Sequence, residues 1–335
     1  MDPMKIVPVF LRYDYGIKSR GDSLEYKGFC SALKQITDEV YPFWYDEYLT
    51  KKDELQKRVI KFVDEISPDI VFFILMKNEF SFETLDYLKS KYITLNWFCD
   101  DQWRFDVFTK HYAPHFTHAI TTDKFALSKY RKIGYKNVIR SQWASFGCRE
   151  NIDFEAIKYK YNVSFVGGIS GYRRWLIKEL LKKGIKVKCF GAGWEKGKVS
   201  FEKMTEIFKT SKINLNISNS TSHDIRYIFS SIKSLYEFVI AKKRIEQIKA
   251  RNFEIPAFGG FQLTNYIPSL EDYFKIGNEV ASYTSLEDLA LQINYYLDNE
   301  EGRRKIMINS YKRAIKEYTY LNRLKNIFGK IEWGL

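Results

Sequence analysis

The chain has 335 residues, 45% hydrophobic and 28% charged, which suits a globular protein of about two domains and excludes collagen-like or low-complexity chains. Its longest apolar run, Ile70 to Met76, is far short of the ~18 residues of a membrane span, and the start has no signal-peptide pattern. The formal charge is +13, unevenly spread: residues 1–150 hold 23 Lys+Arg against 21 Asp+Glu, and residues 151–335 hold 31 against 20.

Short apolar runs alternate with amphipathic segments. In the first half, strands are expected at 5–11, 40–45, 69–76, 93–99, 118–122 and 137–142. Helices are expected at 24–36, 51–66, 80–91 and 124–133. This rhythm predicts a parallel sheet covered on both faces. It pauses between Trp143 and Tyr161, where a domain boundary near residue 150 is placed. A second series follows, with strands at 162–166, 186–190, 213–217, 260–264 and 279–282. Its helices are expected at 172–183, 201–210 and near 248–258, and three more (286–297, 300–317 and 321–331) close the chain. The segment 224–244 is amphipathic, with Ile225, Ile228, Phe229, Ile232, Leu235, Tyr236, Val239 and Ile240 at helical spacing. Its first reading is a core-facing helix, and its alternatives are a lid, a dimer contact or a membrane-surface helix. The expected architecture is α/β, two parallel-sheet domains facing a central cleft, with ligands outside the carboxyl ends of the strands.

Cys30, Cys99, Cys148 and Cys189 form no CxxC pair. Free thiols in a reducing cytoplasm are the simpler reading, and with only four histidines a zinc centre is disfavoured. The basic second half favours an anionic ligand: a nucleotide, a phosphate, nucleic acid or an anionic membrane.

Three motifs carry chemistry. Phe165-Val166-Gly167-Gly168-Ile169-Ser170-Gly171-Tyr172-Arg173-Arg174 reads as a strand, a glycine-rich turn and a helix start, where backbone N–H groups can approach phosphate. It is not the GxGxxG fingerprint. Gly191-Ala192-Gly193-Trp194 repeats the turn logic, with Trp194 either stacked on a base or packed beneath the loop. In Ile248–Thr264, Lys249 and Arg251 precede Glu254, and Gly259-Gly260 end the helix. A carboxylate there can accept both hydroxyls of a ribose, and the cations can hold a diphosphate.

These motifs in this order, with Ser211–Ser218, Leu270–Phe274, Tyr295-Tyr296-Leu297 and Tyr318-Thr319-Tyr320 with Arg323, resemble the CgeB-like (spore-protein type) glycosyltransferases of GT-B fold. The likeness is strong over Val163–Arg323. In the first half Asn96-Trp97-Phe98-Cys99-Asp100-Asp101 and the loop from Tyr13 to Tyr26 match more loosely. The resemblance implies sugar transfer from a nucleotide-diphosphate donor, a UDP-sugar first among the candidates, with no metal or cofactor. It implies an acceptor domain over 1–150, a donor domain over 151–310, and a last helix over 311–335 crossing back. By position Glu254 is the ribose carboxylate and Arg173, Lys249 and Arg251 the diphosphate contacts. Gly167, Gly168, Gly193, Trp194, Gly259 and Gly260 line the donor, and Glu246, with seven residues between it and Glu254, touches the donor sugar. On the acceptor side stand Tyr15, Gly16, Arg20 and His111, with Asp100 or Asp101 as general base. An N-cap is the structural alternative for the two aspartates, and His115 is a weaker base.

The acceptor is expected to be a glycan or a protein, with DNA carrying modified bases as an alternative. A non-catalytic nucleotide-sugar binder and a sugar-nucleotide epimerase are the other readings. The location is expected to be cytoplasmic, with membrane-peripheral attachment as a variant.

Overall fold

A computed structural model describes residues 4–146 and 152–331; Cys148 and the expected boundary at residue 150 lie outside these. Packing divides the chain into one unit of Met1–Gln142 with Tyr320–Leu335 and a second of Trp143–Thr319.

The first unit holds a six-stranded parallel sheet, ordered β2-β1-β3-β4-β5-β6. Its strands are β1 (Ile6–Phe10), β2 (Phe43–Trp44), β3 (Ile70–Phe73), β4 (Ile93–Phe98), β5 (His118–Thr121) and β6 (Val138–Arg140). β1 and β3 are buried along their whole length, because helices cover both faces of a parallel sheet. The helix Lys52–Ile66 turns Leu55, Val59 and Val63, four residues apart, into this core. The last helix, Tyr320–Phe328, is part of this unit, its Tyr320 ring 4.7 Å from that of Phe29. The helix Glu300–Glu317 stays with the second unit, so the return begins at residue 320 and not at 311.

The second unit holds a five-stranded parallel sheet, ordered β11-β10-β9-β7-β8. Its strands are β7 (Tyr161–Val166), β8 (Lys188–Phe190), β9 (Ser211–Asn216), β10 (Gln262–Asn265) and β11 (Ala281–Tyr283). Helices Gly171–Lys182 and Leu286–Asp298 cover it, the latter burying Leu286, Leu289, Ala290 and Ile293.

In each sheet the chain moves from the first strand to one neighbour and then crosses to the other side. Loops therefore diverge after β1 and β3, and after β7 and β9. Such reversals open a crevice at the carboxyl ends of the strands, where ligands of α/β sheets bind. Two Rossmann-like parallel sheets are thus present, as the strand rhythm predicts.

Two expected elements differ. The helix expected over 24–36 is a π-helical turn, Glu25–Cys30, followed by Ser31–Leu33. The 224–244 segment is not one core-facing helix: it breaks into Ile225–Ile228 and Ile232–Ile240, and of its apolar stripe only Ile228 is buried while the others face outward. Periodicity reports that an apolar stripe exists, not what covers it.

Candidate active site

At the reversal point of the second sheet, the turn after β7 meets the loop after β9. Arg173 joins them: its Nε donates to the carbonyls of Ile217 and Ser218 at 3.1 Å, and its Nη1 to Gly168 at 2.9 Å. Burial, and then the charge of Arg251, bring its pKa down to about 10. These bonds tie Arg173 to backbone carbonyls, so it positions the glycine-rich turn. Ser170 caps the following helix by accepting from the Arg173 N–H at 3.2 Å.

The half-buried Trp194 donates its indole N–H to the Gly167 carbonyl at 2.9 Å and packs its ring edge-on against Phe165, so it braces the turn, the second of its two expected roles. Gly191, absent from the sequence-based set, is sterically obligatory. Its φ is 130°, and a Cβ there would lie 2.3 Å from the Gly167 carbonyl oxygen. At Gly193 a Cβ would lie 2.2 Å from Ile169. Gly168 has no such neighbour, so its lack of a side chain leaves room for a ligand. Gly259 and Gly260 are structural. Gly259 ends the helix at φ 74°, and a Cβ on Gly260 would meet Asn214 and the Phe208 carbonyl within 2.9 Å.

The helix Arg251–Ala257 runs toward β10, so its first residues stand on the carboxyl-end side of the sheet. Asn252 fixes its entry by accepting from the Lys249 N–H at 3.0 Å. Arg251 Nη1 donates to Glu254 Oε2 at 2.6 Å and touches Met204 Sδ. Glu254 is buried; desolvation raises its pKa and the Arg251 charge opposes this. The pair is a buried carboxylate held in one rotamer by a half-buried guanidinium, an arrangement suited to accepting two hydroxyls. Glu246 lines a cavity of about 640 Å³ with Tyr172, Asn265 and Tyr283. Desolvation raises its pKa, with Ser218, Ser220, Asn265 and the Arg173 charge opposing, and its Oε2 is buried with no hydrogen-bond partner among the described residues. A buried acceptor left open in this way suits a polar ligand.

In the first unit, the loop after β1 places Tyr15 and Gly16 in succession at positive φ, 54° and 71°. A Cβ at Gly16 would lie 2.4 Å from Leu49, and a non-glycine residue at positive φ, such as Tyr15, is strained in a way typical of functional loops. The Arg20 guanidinium lies 5.1 Å from the Tyr15 ring centroid. Desolvation first, then the charges of Asp14, Asp100 and Glu25, raise the Tyr15 pKa, which places these carboxylates around one tyrosine. His111 is exposed on the helix Lys110–Tyr112, and no described contact joins it to this group. His115 bonds to Asp86 at 2.7 Å and stacks on Phe82.

The two aspartates separate. Asp100 is half-buried at the start of the helix Asp101–Arg104, without a side-chain capping bond. Asp101 is fully buried and accepts from Thr109 Oγ1 at 2.6 Å, Thr121 Oγ1 at 2.5 Å and Tyr130 Oη at 2.9 Å. It has no access to an acceptor, so its expected role as base is corrected to a structural one. Sequence reasoning missed Glu25 as a catalytic candidate. Burial raises its pKa to about 6, against bonds from its own backbone N–H and Ser23. It opens a π-helical turn, a feature common at functional sites, which no sequence pattern announces.

Residues 173–329 match the model of a family described as glycosyl transferase-like. The match spans a little under half of the chain and most of the second unit, so it is a likeness of this segment. The whole chain is similar in fold to a glycosyltransferase from Rickettsia africae, with a TM-score of 0.64, 11% identity and 98% of each chain covered. It is similar also to a sucrose-phosphate synthase from Thermosynechococcus elongatus, at TM-score 0.60, 9% identity and 98% of each chain. HepE of Anabaena, crystallised with UDP, aligns at TM-score 0.59 and 10% identity over 98% of this chain and 100% of its own. A comparison with curated protein sequences found no match. The architecture is GT-B.

Proposed function

We propose that the chain transfers a sugar from a UDP-sugar to a hydroxyl of a glycan or protein, without a metal. The observation that carries this is the Arg251–Glu254 pair at the carboxyl-end side of the sheet, inside the glycosyl transferase-like segment. In this reading Glu254 accepts the ribose hydroxyls. Lys249, Arg251 and the turn N–H groups of Gly168 and Ser170 neutralise the departing diphosphate, where negative charge grows in the transition state, while the N–H groups of Gly167 and Ile169 bond the carbonyls of Phe190 and Ala192 and hold the turn. The oxygen of Glu246 takes a hydroxyl of the donor sugar, and Arg173 holds the turn in register.

The experiment is incubation with UDP-, GDP-, dTDP- and CMP-linked sugars in the presence of a chelator. Release of UDP from a UDP-sugar is expected. Binding with no turnover favours a non-catalytic binder, an isomerised donor favours an epimerase, and loss of turnover with chelator contradicts metal independence.

The acceptor side is assigned to Tyr15, Arg20, Asp100 and Glu25 of the first unit. Glu25 must be ionised to draw off the acceptor proton, and a group of pKa about 6 loses that form as pH falls through 6. The expected pH profile of kcat/KM therefore drops on the acid side near pH 6, and Glu25→Gln is slower with this limb flattened. An unchanged limb in Glu25→Gln removes Glu25 from the role.

A further inference from the structure

The helix Ile232–Ile240 is built inside out. Ile232, Leu235, Tyr236, Val239 and Ile240 share one face, at spacings of three and four, and that face is exposed, with Ile232 at 90%. The opposite face, turned to the protein, is mixed: Phe238 packs edge-on against His223, and the rest is polar. Ser234 is buried there, bonded to Ser230 and Ser231, and Glu237 accepts from the Tyr227 hydroxyl at 3.0 Å. Phe229, 74% exposed in the connection from Ile225–Ile228, extends the outward apolar surface.

The hairpin is nevertheless firmly held. Thr221 N–H donates to the Lys243 carbonyl at 2.8 Å, and Arg244 Nε and Nη2 bond the carbonyls of Ala241 and Val239 at the end of the helix. Gly171 lets it approach, since a Cβ there would lie 2.1 Å from Glu237 Oε2. A well-tied helix with its apolar stripe in water needs a cover.

We infer that this face docks on an anionic lipid surface. The charge around it decides between occupants. The helix carries a single acid, Glu237, which is turned inward, while Lys233 and Lys242 stand exposed at its two ends. At its foot a cavity of about 560 Å³ is lined by Arg174, Lys178, Lys182 and Lys233 against Glu179 and Glu237, with serine hydroxyls between. Two of these cations are paired, Lys182 with Glu179 at 2.7 Å and Lys233 with Glu237 at 3.9 Å, which leaves Arg174, Lys178 and Lys242 in excess near the stripe. An apolar stripe with a net cationic flank is the composition of interfacial helices, where lipid phosphates meet the lysines and the stripe enters the acyl boundary. A second copy of the chain would set the same cations against each other.

The test is co-sedimentation of the full chain with phosphatidylcholine vesicles, with and without phosphatidylglycerol. Binding at least about tenfold tighter to the anionic vesicles, weakened by salt, is expected. Ile232→Ser with Tyr236→Ser, both at exposed positions, lowers it by about tenfold or more. Lys178→Gln with Lys182→Gln reduces the preference for the anionic vesicles. Absence of vesicle binding, equal binding to both vesicles, or a concentration-dependent dimer broken by the serine variant in place of vesicle binding each overturns the inference.

Discussion

With the proposed ribose contact, Glu254→Ala is expected to lower kcat/KM for the UDP-sugar by about a hundredfold, because two hydroxyls lose a charged acceptor worth about 1.5 kcal/mol or more each. The loss falls on donor affinity as well as rate, since the ribose contact exists before and during transfer. Glu254→Gln keeps the shape and one acceptor and falls between the alanine variant and the native chain. The fold survives, because Glu254 is a buried carboxylate whose desolvation costs stability and whose partner Arg251 keeps some access to water. Steady-state kinetics with UDP titration check this. Native affinity and turnover in the alanine variant remove Glu254 from the donor site.

Asp101→Ala destabilises the first unit by about 3 kcal/mol or more, because the buried hydroxyls of Thr109, Thr121 and Tyr130 lose their common acceptor. pH separates this role from catalysis. Burial lifts the Asp101 pKa from 3.8 to about 6, so the native state holds its proton longer than the unfolded chain. The stability from this group is full below its ordinary pKa and is lost as pH rises through about 6. Urea denaturation at about pH 4 and about pH 7 shows this slope in the native chain, and Asp101→Asn loses it. A native melt for Asp101→Ala, with only activity lost, would contradict the structural assignment.

The strand rhythm made both sheets legible. Buried parallel strands such as Ile70–Phe73 are short and apolar throughout, which sets them apart from the longer amphipathic helices between them. The Ile248–Thr264 block was legible because charge, carboxylate and glycines stand close in sequence. Its glycines were read as ligand-binding when Gly260 answers to Asn214 and Phe208, which only the fold brings near. The backbone partners of Arg173 and Trp194 were hidden for the same reason. A guanidinium beside a glycine turn suits phosphate and carbonyl equally, and the loop that takes it lies more than forty residues on. Asp100 and Asp101 are neighbours in sequence, yet helix geometry sends one to the loop group of Tyr15 and the other into the core. The outward stripe of Ile232–Ile240 shows the same limit, since spacing does not reveal which face a domain leaves open.

The central claim is that the second unit binds the nucleoside diphosphate at the carboxyl ends of β7 and β9. A crystal structure of the chain with UDP tests it most directly. The account predicts ribose hydroxyls within hydrogen-bonding distance of Glu254 and the diphosphate against the turn Gly167–Ser170 with Lys249 and Arg251. Nucleotide bound away from these residues, or none bound at saturating UDP, would contradict it.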